Sequence, residues 1–121
     1  MISLETITDY CMNFPGTSQD FPFGQDTMVF KVAGKIFALV NVTRWMHGEE
    51  KMNLKCDPER ARKLREEYQS VTSGYHMNKR HWNTVSVNEG ELSKTDIFEL
   101  IDHSYQCVVH KLPKTVQRQL V

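Results

Sequence analysis

Thr27-Met28-Val29-Phe30-Lys31-Val32-Ala33-Gly34-Lys35-Ile36-Phe37-Ala38-Leu39-Val40-Asn41-Val42 is the stretch that decides the fold. Two runs rich in β-branched and aromatic residues, Thr27 to Val32 and Ile36 to Val42, flank the glycine-bearing break Ala33-Gly34-Lys35. Strand-forming runs joined by so short a connection make a β-hairpin.

Upstream of the hairpin, Ser3 caps a first helix in which Leu4, Ile7, Cys11 and Phe14 form one apolar stripe, and Pro15-Gly16 stops it. Phe21-Pro22-Phe23-Gly24 reads as a turn. Downstream, Thr43 to Glu50 reads as a loop, and Met52, Leu54 and Cys56 alternate with Asn53 and Lys55 as a half-buried strand does. Asp57-Pro58-Glu59 supplies a cap, a proline at the first helical position and an acid at the positive end of the dipole. That helix runs to about Tyr68, with Ala61, Leu64 and Tyr68 inward. A short strand around Val71 to His76 precedes another from Trp82 to Val87, which ends at the turn signal Asn88-Glu89-Gly90. Ser93-x-x-Asp96 opens a last helix whose Ile97, Leu100, Ile101, Tyr105, Val108 and Leu112 recur at helical spacing; Pro113 ends it and Lys114 to Val121 reads as a frayed tail. The order α-β-β-β-α-β-β-α predicts an α+β, two-layer domain spanning residues 1–121, its antiparallel sheet covered by helices on one face.

The 121 residues, 40% apolar and 25% charged, suit one globular domain. No apolar run approaches the roughly 20 residues that span a bilayer, and the start Met1-Ile2-Ser3-Leu4-Glu5 lacks an export pattern, so a cytoplasmic protein without membrane contact is expected. Cys11, Cys56 and Cys107 are widely spaced and read as reduced thiols, with Cys56 facing the core. Net charge is zero, which argues against a strong electrostatic nucleic-acid binder, yet its distribution is uneven. Residues 51–82 carry eight basic against four acidic side chains, while residues 1–50 carry three against six and residues 83–121 four against five. About half of the central surplus lies on one helix, where it also suits a solvated face.

The chemistry concentrates in Gly74-Tyr75-His76-Met77-Asn78-Lys79-Arg80-His81-Trp82. No nucleophile elbow, phosphate-cradling glycine loop, dinucleotide fingerprint or zinc-protease motif occurs, so a non-enzymatic protein is expected. His76 and His81, or His103 and His110, lack metal-site spacing, and neither metal nor cofactor is expected. In the window, Lys79 and Arg80 suit phosphate, His76, Asn78 and His81 suit adaptable hydrogen bonds, and Trp82 or Tyr75 suits stacking. Lys31, Lys35 and Lys55, on or beside strands, extend such a footprint, with Lys35 near the tip of the first hairpin. The same residues also suit a structural role: Tyr75 and Trp82 as buried anchors, the polar residues between them stapling a tight crossing, and the lysines keeping strand edges soluble. Weak, salt-sensitive DNA binding by a monomer is the leading expectation. A protein-interaction or chaperone-like module is the alternative, and a small-molecule binder using the His76 to Trp82 loop is a third.

Gly74-Tyr75-His76-Met77-Asn78-Lys79-x-His81-Trp82-Asn83-Thr84, Phe21-Pro22-Phe23-Gly24, the hairpin Met28 to Leu39, Asn53-Leu54-Lys55-Cys56-Asp57-Pro58, Ser104-Tyr105 and Lys111-Leu112-Pro113 together resemble the MmcQ/YjbR family of small bacterial proteins. The resemblance covers nearly the whole chain. It implies a CyaY-like or secretion-chaperone-like α+β fold and the family's label of DNA binding through a double-wing motif. It carries this role onto His76, Asn78, Lys79, His81 and Trp82, and Arg80 joins them as a cation at the motif's variable position.

Overall fold

The computed structural model describes residues 1–74 and 77–121, so the roles read for Tyr75 and His76 lie outside the described residues. The elements run α1 (Leu4–Met12), β1 (Thr17–Asp20), β2 (Thr27–Val32), β3 (Lys35–Asn41), α2 (Val42–Met46), β4 (Lys51–Lys55), α3 (Pro58–Glu67), β5 (Val71–Ser73), β6 (Trp82–Ser86), α4 (Lys94–Val109) and α5 (Lys114–Gln119). One antiparallel sheet takes the order β1-β2-β3-β4-β6-β5. The α+β reading stands, with three elements added.

β1 was unread because Thr17-Ser18-Gln19-Asp20 buries almost nothing; it joins the sheet as an edge through backbone pairing with β2. The Thr43 to Glu50 loop is corrected to α2 and a turn: Asn41 accepts the Arg44 N–H at 2.9 Å, capping a helix that starts at Val42 and buries Trp45. The frayed tail is corrected to α5, whose end brings Leu120 against the core. The helix signals read from sequence hold: Asp57 accepts Arg60 N–H at 3.2 Å, and Ser93 and Asp96 exchange the two bonds of a capping box at 3.0 and 2.9 Å.

The hairpin turns on two residues, Ala33 and Gly34, both at positive φ (49° and 80°), the type I′ geometry that matches strand twist. Further along, register shifts between Phe30 and Lys31, with Phe30 opposite Ala38 and Lys31 opposite Ile36. Phe37 is therefore the extra residue of a bulge, and it turns into the core against Phe30, Phe14 and Tyr105. Beneath the sheet, Ile7 and Cys11 of α1, Leu64 of α3 and Ile97, Ile101 and Tyr105 of α4 pack on Phe30, Val32, Val40, Leu54 and Val85. Burial pushes the Cys11 thiol up to about 12 and Cys56 up to about 11, so both behave as small hydrophobes. No helix among the described residues is long and apolar enough to cross a membrane.

β3 and β4 pair only at Ala38↔Leu54 and Leu39↔Asn53. Past that point the strands part, and a side chain replaces the ladder. Ser104, fully buried on α4, donates its hydroxyl to the Phe37 carbonyl and accepts the Lys55 N–H at 2.8 Å. Two backbone groups that the bulge removes from the sheet are thereby satisfied.

Candidate nucleic-acid interface

The parting of β3 and β4 opens a groove of about 500 Å³, lined by Gly34, Lys35, Ile36, Lys55, Val108, Lys111 and Leu112. Lys35 comes from the hairpin end, Lys55 from the last position of β4 and Lys111 from just past α4. Lys111 pushes the Lys55 ammonium below its ordinary range, second to the burial of Lys55 itself. His81, half-buried beside this groove, is likewise held low, first by burial and then by the charges of Lys111, Lys55 and Arg80, with Asp57 a weaker opposing influence. Two of the lysines expected from sequence thus come together, with His81 near them and Arg80 next to His81 in the chain. Among the described residues, Lys35, Lys55, Arg80 and Lys111 form no ion pair, whereas Lys31 is tied to Asp20 at 3.3 Å and leaves the expected footprint.

Within the window, Asn78 to Trp82 form a stapled turn. Asn78 accepts the His81 and Trp82 N–H groups on its carbonyl at 3.2 and 3.0 Å, and the Arg80 N–H on its side-chain oxygen at 3.0 Å. Asn78 therefore organises the loop from within. Arg65 of α3 donates to the Lys79 carbonyl at 3.0 Å and to the buried Asn83 side chain at 2.7 Å, leaving the exposed Lys79 and Arg80 on a braced tip. Gly74 donates to the Trp82 carbonyl at 2.9 Å, and a Cβ there would meet the Trp82 Cβ at 3.0 Å, so a larger residue would have to push Trp82 aside. Trp82 is half-buried on β6, opposite Lys55 in register. The structural reading of this window and the binding reading thus divide its residues: Asn78 and Gly74 build it with Arg65 of α3, and His81 lies within the electrostatic reach of Lys55 and Lys111.

Sequence reasoning missed two residues. Lys111 stands out in the sequence only as part of the family-like Lys111-Leu112-Pro113, and its nearness to Lys35 arises only on folding. Arg65 passed for a solvated helix charge; its place at the end of α3, ahead of the loop, was the available signal.

Sheet and groove together define a small α+β protein with a cationic opening where two neighbouring strands separate. The YjbR family model matches residues 12–107, and the chain belongs to this family. It is 37% identical to the uncharacterized protein YbdF of Escherichia coli O157:H7, over 96% of this chain and 92% of the relative. It is 32% identical to the uncharacterized protein YjbR of Escherichia coli strain K12, over 99% of this chain and 98% of that one. The crystal structure of Deinococcus radiodurans protein DR2400, with its DUF419 domain, aligns with a TM-score of 0.88 at 33% identity, over 99% of this chain and 88% of its own. A crystal structure of a Pseudomonas syringae protein aligns at 0.69 and 29% identity, over 88% and 98%.

Proposed function

We propose that this protein is a non-enzymatic, cytoplasmic bacterial protein that binds DNA weakly, through phosphate contacts from Lys35, Lys55, Arg80 and Lys111, with Lys79 beside them. The observation that carries the reading is the shared groove of Lys35, Lys55 and Lys111. Clustered like charges without acidic partners gain most from a polyanion, because phosphate relieves their mutual repulsion and releases condensed counterions. Zero net charge keeps the affinity low. The hairpin end with Lys35 and the braced turn with Arg80 serve as the two projections that flank the duplex backbone.

The test is fluorescence anisotropy of a labelled duplex titrated with the intact protein at several salt concentrations. Four phosphate contacts give a slope of log affinity against log salt of about −3.6, roughly a 150-fold loss between 50 and 200 mM. Lys55→Gln with Lys111→Gln should reduce that slope by about two, while Arg62→Gln with Lys63→Gln on α3 should leave it unchanged. No retention of duplex at low salt, or equal slopes for both double variants, would remove the proposal.

A further inference from the structure

The opposite face of the sheet carries a second concavity, unrelated to the basic groove. Val29, Leu39, Asn53 and Thr84 lie side by side across four strands in register, on the face away from the helices. Leu39 and Val29 are buried there although both stand outside the main core. Around Leu39 opens a cleft of about 650 Å³, within the size range of small-molecule sites. Two distant signature stretches reach it: Phe23, from Phe21-Pro22-Phe23-Gly24, and Met77, from the Gly74 to Trp82 window. Phe23 is 65% exposed, a large aromatic held at the rim of a cavity and not in the core. At the centre, the Thr84 hydroxyl donates to the Asn53 side-chain oxygen at 2.6 Å, which orients that amide so that its N–H donors are the groups it has to offer. The charged residues at the margin are Arg44, Lys51 and Glu49, two cations to one acid, and the Arg44 to Glu49 approach of 3.9 Å is too long to consume the guanidinium.

We infer that this cleft binds a small organic carboxylate with an apolar or aromatic body. The body lies on Leu39 under Phe23, the carboxylate meets the Arg44 fork and Lys51, and the Asn53 amide donates to the ligand's polar edge. The combination decides the class. A purely apolar ligand would leave two cations and an amide without use, and a bare phosphate would leave Phe23 and Leu39 idle.

The probes are 4-phenylbutyrate and indole-3-acetate, each against its primary amide, titrated into the full-length ¹⁵N-labelled chain and followed by amide shifts. Saturable shifts at Leu39, Asn53 and Thr84 below about 5 mM, with the amides about ten-fold weaker, support the inference. Arg44→Gln with Lys51→Gln should weaken the acids by about ten-fold and leave the amides and the melting temperature unchanged. Acid and amide binding alike, absence of saturation, or shifts centred on Lys35, Lys55 and Lys111 would each overturn it. These outcomes do not depend on DNA binding, which the anisotropy experiment reads separately.

Discussion

Ser104→Ala tests the reason for the groove's existence. Ser104 has 0% exposure, and its hydroxyl joins the Phe37 carbonyl to the Lys55 N–H. Alanine fills nearly the same space, so packing changes little and the loss is that of hydrogen bonding alone. A buried backbone carbonyl and a partly buried N–H then lack partners, together costing on the order of 2–5 kcal/mol. Partial relaxation of β4 away from α4 trims the sum to roughly 2–4 kcal/mol, a fall in Tm on the order of 10 °C for a domain of this size.

Urea unfolding with an unchanged m-value measures the loss, and native-state amide exchange locates it. The Lys55 amide should exchange faster than its neighbours Leu54 and Asn53, beyond the global change in stability. Because the same bond fixes where Lys55 leaves β4, the variant should also relax the depression of the Lys55 ammonium by Lys111. A destabilisation under about 0.5 kcal/mol, with Lys55 exchange unaltered, would refute the view that this hydroxyl replaces the missing ladder.

Ala33 occupies φ 49° without being glycine, so Ala33→Asn should raise the urea midpoint, by about 0.5–1 kcal/mol of stability; a lower midpoint would contradict the strain. His103 accepts the Asp57 N–H on Nε2 at 3.2 Å, and burial and then Arg60 hold its pKa below 6.5, against the weaker pull of Glu99 and Asp57. Its neutral form is the one the fold favours, so its contribution to stability is complete above 6.5 and is lost as pH falls through its lower folded value. Urea midpoints from pH 7.5 down to about 5 should therefore fall more steeply for the parent than for His103→Gln, and parallel curves would count against it.

What the sequence disclosed depended on whether a signal was local. The hairpin was legible because its strands are joined by one short glycine-bearing turn, and Asp57-Pro58 and Ser93-x-x-Asp96 were legible because a cap and the N–H that donates to it lie within one helical turn. β1 was not, because an exposed edge strand is defined by its neighbour's hydrogen bonds. α2 was masked by Val42, which prolongs the β-like run and conceals the Asn41 cap. Pro113 was read as a stop although proline equally opens a helix, and Val116 and Leu120 already had the spacing of a helical face. Within the candidate interface, Lys35 and Lys55 were legible as lysines on or beside strands. Lys111 was not, since only the run of α4 across β3 and β4 carries it to them. Glu99 pairs with Arg60 and Asp102 accepts the Tyr10 hydroxyl at 2.6 Å, partners too distant along the chain for any local spacing to disclose.

Charge counted along the chain attributes the basic surplus to the wrong residues. Of the eight cations between residues 51 and 82, Arg60 pairs with Glu99, Arg62 with Glu59 and Glu66, and Arg65 turns to the Lys79 carbonyl and Asn83. Helix α3, the apparent source of positive charge, is therefore largely neutralised within itself and by its neighbours. The cations left over are Lys51, Lys55, Lys63 and those of the turn, and of these Lys55 is joined by Lys35 from a segment that counts as acidic and by Lys111 from another. A molecule with no net charge thus concentrates field by pairing its charges unevenly, and Lys55 and His81, held low first by burial, are lowered further by these neighbouring cations. Repulsion among these groups is a cost the fold carries, held in place by Ser104, which fixes Lys55, and by Arg65, which fixes the turn. Such a cost persists where the surrounding packing over-determines the geometry, and an anion in the groove would be the one partner able to convert it into binding energy.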